Sequence, residues 1–237
     1  KFTIYKHEPN NEHSLAHNFV RTVFEDSKGH LLIGTYIGIQ MYDPATDNFT
    51  PLAKLEDTGE TLESNINSFI ERKNGEIWVS GNVLCKLDIK DHLLTVRKVD
   101  IAVTSPGSLF EDKKQNVWMA KGEEGVYQLT PDNQLTLHLS KDNGYVKSIC
   151  EDQRGNIYVG SIRKGLFIYD KERKTFVPVD LKEKGELPVC FLYSGIPNEL
   201  YIGTDGKGVA IYNIRTHEIS EYKFDNNYFD SGNSKIH

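Results

Sequence analysis

The side chains able to do chemistry recur in step along this chain. Asp26, Asp112 and Asp152 each stand three residues ahead of a point where the chain must turn, at Gly29, Gln115 and Gly155. Carboxylates in series could be general acids or metal ligands. A single position repeated from copy to copy points instead to turn capping, because an Asp that opens a type I turn accepts backbone N–H bonds there. Three residues after each turn comes a large side chain: Leu32, Trp78, Trp118, Tyr158 and Tyr201. That series reads as core packed between copies. His7, His13 and His17 are clustered, but in a polar crossing, and no metal is assigned to them. Cys85, Cys150 and Cys190 are odd in number, lie in strand patterns and form no Cys-x-x-Cys. They read as small buried side chains, and no cofactor is expected. A Ser/His/Asp triad, a phosphate-cradling Gly loop and His-Glu-x-x-His are all missing, so no residue is assigned a catalytic role.

The elements that must position these residues show best in residues 145–170. Three β-branched or aromatic runs, Val146 to Glu151, Asn156 to Ser161 and Leu166 to Tyr169, are joined by tight connections ending on Gly155 and Gly165. The first connection is a hairpin signal with a mechanism: Asp opens the turn, and Gly takes a left-handed conformation with no Cβ to clash. Equivalent turn positions are Gly29, Gly75, Gln115, Gly155 and Asn198, at steps of 46, 40, 40 and 43 residues. A period near forty with three or four strands per unit predicts a β-propeller. The expected fold is all-β, with four-stranded antiparallel blades, about five of them present as part of a larger propeller. Gln115 is expected to bear a left-handed conformation at some cost. Gly195-Ile-Pro-Asn198, with Pro where a type I turn dislikes it, is expected to turn differently.

As one propeller segment spanning 1–237, the chain divides into cycles at about 19–52, 66–94, 107–139, 145–179 and 189–222. Residues 1–18 read as the outer strand and crossing of a preceding blade, and 223–237 as the start of a further one. Pro51 and Pro178 lie in the fourth strands, which must then be edges, since proline cannot donate to a ladder. With no Met and no leader at Lys1, an excised or mature segment is expected. The net charge of −6 leaves no basic stripe, which argues against nucleic acid or anionic membrane as partners. An apolar share of 38% is enough for a packed core, yet no run approaches the roughly 20 residues needed to cross a bilayer.

On a repeat scaffold, function lives where copies differ, on loops held by the common framework. The most variable connection, between second and third strands, holds Tyr36, Asn82, Glu123, Glu124, Arg163, Lys164, Asp205 and Lys207. Loops leading into the inner strands add His17, Asn18, Asn65 and Asn143 to Tyr145. A propeller gathers such loops on one face, where this mixture could bind an oligosaccharide, a sugar acid or a protein partner.

Phe19-Val-Arg-Thr-Val-Phe-Glu-Asp-Ser-Lys-Gly-His-Leu-Leu-Ile-Gly-Thr35, with Gly38-Ile-Gln-Met-Tyr-Asp43, resembles the two-component regulator propeller repeat. Residues 145–170 and 198–213 do so too, while the second and third cycles depart from the pattern. The resemblance implies the periplasmic sensor region of a hybrid two-component system of the Bacteroidetes type. There, propellers precede a sandwich domain, a membrane span and a histidine kinase. The segment would then sense or transmit carbohydrate cues, with a homodimer as a further possibility, and would not itself be an enzyme. An alternative resemblance is to virginiamycin B lyase, with His17 and Glu123 standing for its active-site pair. A protein-interaction scaffold is the third reading.

Overall fold

The computed structural model describes residues 2–139, 144–181 and 187–222. Its local logic is the turn. All five turn positions lie in the left-handed region: Gly29 at φ 84°, Gly75 at 83°, Gln115 at 66°, Gly155 at 79° and Asn198 at 61°. Gln115 does what its place demands, at a cost of roughly 1–2 kcal/mol against glycine. The fifth turn differs as expected, closing by Glu199 N–H to Ile196 O at 3.1 Å, one residue later than the others.

Two units are distinguishable, residues 1–109 and 110–237. In the first, β1 (Val20–Glu25), β2 (Leu31–Thr35), β3 (Ile39–Asp43) and β4 (Asn48–Phe49) form a sheet in chain order. The fourth strand is shorter than the sequence suggests, and Pro51 falls beyond it. The second sheet has order β5-β9-β8-β7-β6. It comprises β6 (Ser68–Glu71), β7 (Ile77–Ser80), β8 (Leu84–Lys90) and β9 (Leu93–Lys98), with β5 (Lys54–Leu55) added parallel to β9. This cycle therefore runs past residue 94, and β5 gives it a fifth strand that no repeat pattern announces. Residues 2–19, read as an outer strand and a crossing, form no strand. Tyr5 is held by side chains: it packs on Tyr42 and Phe49 and donates to Asp47 Oδ1 at 2.5 Å.

The second unit carries three sheets, each in chain order. They are β10 (Leu109–Glu111) to β13 (Leu135–Leu139) through β11 (Val117–Lys121) and β12 (Gly125–Leu129); β14 (Val146–Glu151) to β17 (Thr175–Pro178) through β15 (Ile157–Ser161) and β16 (Gly165–Asp170); and β18 (Val189–Tyr193) to β21 (Ile219–Glu221) through β19 (Glu199–Thr204) and β20 (Val209–Asn213). Pro178 stands in β17, an edge strand, where its missing N–H costs nothing. Residues 223–237, expected to begin a further blade, lie outside the described residues.

Within each unit the sheets pack face to face, as blades must. In the first unit Leu32, Ile39 and Met41 of one sheet meet Ile66, Phe69 and Val79 of the next in one buried cluster. In the second, Trp118 and Val126 pack with Val159 and Phe167, and Tyr158 and Leu166 with Leu200 and Ile202. The approach is close enough to require glycine. A Cβ on Gly34 would stand 2.6 Å from Ile66 Cγ2, and one on Gly160 2.4 Å from Val189 Cγ1. The innermost strand is bulged at one place in three blades, at Val20/Thr22, Val146/Ser148 and Val189/Phe191. A bulge adds twist where strands crowd together. Among the described residues no helix is long and apolar enough to cross a membrane.

Candidate functional site

The recurring carboxylates are built into the turns. Asp152 Oδ1 accepts the N–H groups of Arg154 (2.8 Å) and Asn156 (2.9 Å), while Oδ2 accepts Asn156 Nδ2 (2.8 Å) and the Tyr158 hydroxyl (3.4 Å). Asp112 repeats this with Lys114 N, Asn116 N, Asn116 Nδ2 and the indole Nε1 of Trp118, at 2.8 to 2.9 Å. At Asp26 the same places are taken by Lys28 N, His30 N and His30 Nδ1. Burial raises the Asp26 pKa, but the bonds from His30 outweigh it and leave the carboxyl below its ordinary value. Both oxygens of each carboxylate are engaged in hydrogen bonds within the turn. The sequence reading reached the backbone bonds and missed the side chains, although Asp-x-x-x-Asn-x-aromatic, at Asp112 and Asp152, was there to be seen.

The cysteines are equally inert. All are free, Cys85 and Cys150 are buried and Cys190 partly so. Burial pushes the Cys85 thiol up to about 11 and the Cys150 thiol to about 12, the reverse of what a nucleophile needs.

In the first unit, three candidate residues converge. Tyr36, Asn65 and Asn82 line one cleft of about 690 Å³, together with Leu52, Glu63 and Ser64. Its size falls within the range of ligand pockets. Tyr36 follows β2, Asn82 follows β7, and Asn65 lies on the segment leading into β6, so the cleft belongs to the connections of the first two blades. His17 stands against Tyr36 with ring centroids 5.7 Å apart, and Phe19 meets the same ring edge-on at 6.3 Å. Phe19, Glu63 and Ser64 are additions that the comparison of repeats did not single out. Asn18 does not join them, its Oδ1 accepting His7 N–H at 2.8 Å. His17 Nδ1 accepts Phe19 N–H at 3.0 Å.

In the second unit, two of the candidate residues pair with each other and the other described ones meet different neighbours. Arg163 pairs with Glu123 at 2.9 Å, both side chains being more than half exposed, so the pair is worth little energetically. Glu124 pairs with Lys121 at 2.8 Å. The ring of Tyr145 lies over Gly122, where an added Cβ would come within 2.9 Å of it. Lys164 donates its N–H to Ser161 Oγ at 3.3 Å. Asp205 and Lys207 sit in the turn after β19, donating N–H to Pro188 O and Thr204 Oγ1. Asn143 lies outside the described residues.

Five sheets, antiparallel but for β5 and repeating every forty residues or so, make this an all-β protein of propeller class. Two stretches, residues 14–36 and 140–163, match the Two component regulator propeller family. The fold is similar to that of the extracellular domain of a hybrid two component system from B. thetaiotaomicron (TM-score 0.73, 18% identity, covering 95% of this chain and 32% of that one). It is similar to a second such domain from the same organism (TM-score 0.55, 16% identity, 95% and 37%). It also resembles virginiamycin B lyase from Staphylococcus aureus (TM-score 0.68, 12% identity, 90% and 73%). The chain thus spans about a third of the length of the first of these structures. No curated protein matches the sequence.

Proposed function

We propose that this chain is the ligand-sensing or signal-transmitting propeller segment of a hybrid two-component system, acting in the periplasm and without catalysis of its own. The observation that carries the reading is the match of residues 14–36 and 140–163, in two separate blades, to the two component regulator propeller family. Commitment of the turn carboxylates and of the buried thiols to structure agrees with it. The signal would be a polar ligand, an oligosaccharide or sugar acid, met by the variable loops, with a homodimer as the route of transmission.

Titration calorimetry with neutral and acidic oligosaccharides, paired with sedimentation in their presence, tests this reading. Saturable binding that shifts the monomer–dimer balance is expected. The fold likeness to virginiamycin B lyase provides the opposing outcome, since one such structure holds quinupristin. Ring-opening of quinupristin by this chain, followed by mass spectrometry, would sink the non-catalytic reading.

A further inference from the structure

Asn65, which lines the cleft of the first unit, carries one polar atom that the fold leaves unsatisfied. Asn65 Oδ1 is buried and has no hydrogen-bond partner among the described residues. A buried acceptor without a donor is a net cost to the folded state, and native chains carry few of them. Its neighbour Ser64 accepts the Asn82 N–H at 3.0 Å and makes no hydrogen bond to Asn65 Oδ1. Above the same cleft stands Tyr36, 56% exposed and braced by His17 and Phe19. A ring held in place between two bracing rings presents a fixed apolar face, with a polar hydroxyl, to whatever enters the cleft. Among the described residues nothing covers it. Apart from Tyr36, the only ionisable residue lining the cleft is Glu63; the rest is amide, hydroxyl and aliphatic. An anion would meet a like charge and no cation. Ile37, Leu52 and Thr61 line both this cleft and an adjoining one of about 770 Å³, so the groove continues past a single ring.

Resting on the ligand-sensing reading, we propose that this cleft takes an uncharged polyhydroxylated ring within a linear oligomer and rejects its acidic counterparts. One ligand hydroxyl donates to Asn65 Oδ1 as the amide turns into the cleft. The apolar face of the ring lies on Tyr36, and Asn82 completes the polar contacts. The specificity is the reverse of a basic sugar-acid pocket.

The test is calorimetry on the whole chain against neutral trisaccharides of glucose, mannose, galactose and xylose and against trimers of glucuronic and galacturonic acid. At least one neutral trimer should bind, and the uronic trimers at least tenfold more weakly. Asn65→Leu, close in size but unable to accept, should weaken that binding tenfold or more while leaving the melting temperature unchanged or raised. A merely structural Asn would make the same substitution lower it. Tyr36→Ala, at an exposed position that does not threaten folding, should also cost tenfold or more. Neutral binding that survives both substitutions overturns the proposal. Binding of acidic trimers alone overturns it too, while leaving the sensor reading intact. Silence from every trimer would remove the carbohydrate reading along with this one.

Discussion

Trp78 and Trp118 occupy the same position in successive repeats, and both are buried, yet their indole N–H groups are satisfied from different directions. In the third blade the acceptor is Asp112, six residues earlier in the hairpin turn, at 2.9 Å. In the second blade that position is Arg72, which cannot accept, and the acceptor is Glu76, two residues earlier and just ahead of β7, at 3.0 Å. Glu76 is in turn held by Lys86 at 2.6 Å and Arg72 at 3.7 Å, and the Arg72 guanidinium lies 4.6 Å from the Trp78 ring centroid. The fifth blade, also without the turn Asp, repeats the second solution: the Tyr201 hydroxyl donates to Glu199 at 2.9 Å. One need is met by a buried turn carboxylate in one class of blade and by a part-exposed carboxylate two residues ahead of the aromatic ring in the other. The first arrangement should be stiff and costly to break, the second soft and sensitive to pH.

The largest expected effect is at the stiff blade. Trp118→Ala should lose about 4 kcal/mol in chemical denaturation, and Trp78→Ala clearly less, because the Arg72 and Lys86 side chains can be rehydrated. Equal losses would erase the distinction. Asp112→Ala strands four donors and should lose about 2 kcal/mol or more, against less than about 1 kcal/mol for Glu76→Gln, whose ion pair is part-exposed.

The turns offer a smaller contrast. Gly75 and Gln115 hold equivalent left-handed positions. Gln115→Gly should therefore stabilise by about 0.5 kcal/mol, the relief of backbone strain exceeding the added chain entropy. A loss would show that the Gln side chain contributes more than its backbone costs.

The smallest effect lies in pH. The hydrogen bond from Lys86, helped by Trp78 and Asn74, holds the Glu76 carboxyl at about 2 against an ordinary 4.5. A depressed carboxyl adds stability above its unfolded pKa and loses it as the pH falls. The contribution should thus be complete above about 4.5 and vanish toward about 2. Melting curves of Lys86→Met and the parent chain should differ above this window and converge at its lower end. A difference constant with pH would mean that the two side chains do not act through Glu76's charge.

Much of this was legible in the sequence, for reasons that can be traced residue by residue. The strands and turns follow from spacing within ten residues, and the positive φ at Gln115 from its place in the hairpin alone. The shortening of β4 at Pro51 and the addition of β5 were not legible, because each depends on what lies across the sheet. Nor was the pairing of Arg163 with Glu123, forty residues away, which turns two apparent ligand contacts into partners for each other. Asn18 was lost to His7 in the same way.

By itself the sequence determined the repeat, the all-β class and the turn chemistry, since each rests on interactions between near neighbours and is restated copy after copy. Tertiary structure alone decided which of the non-repeating residues meet. Tyr36, Asn65 and Asn82 come from three separate connections and share a cleft only because two sheets pack face to face at a distance set by Gly34 and Ile66. A hydrogen-bonding partner far along the chain is chosen by that packing distance and register, which local spacing does not encode.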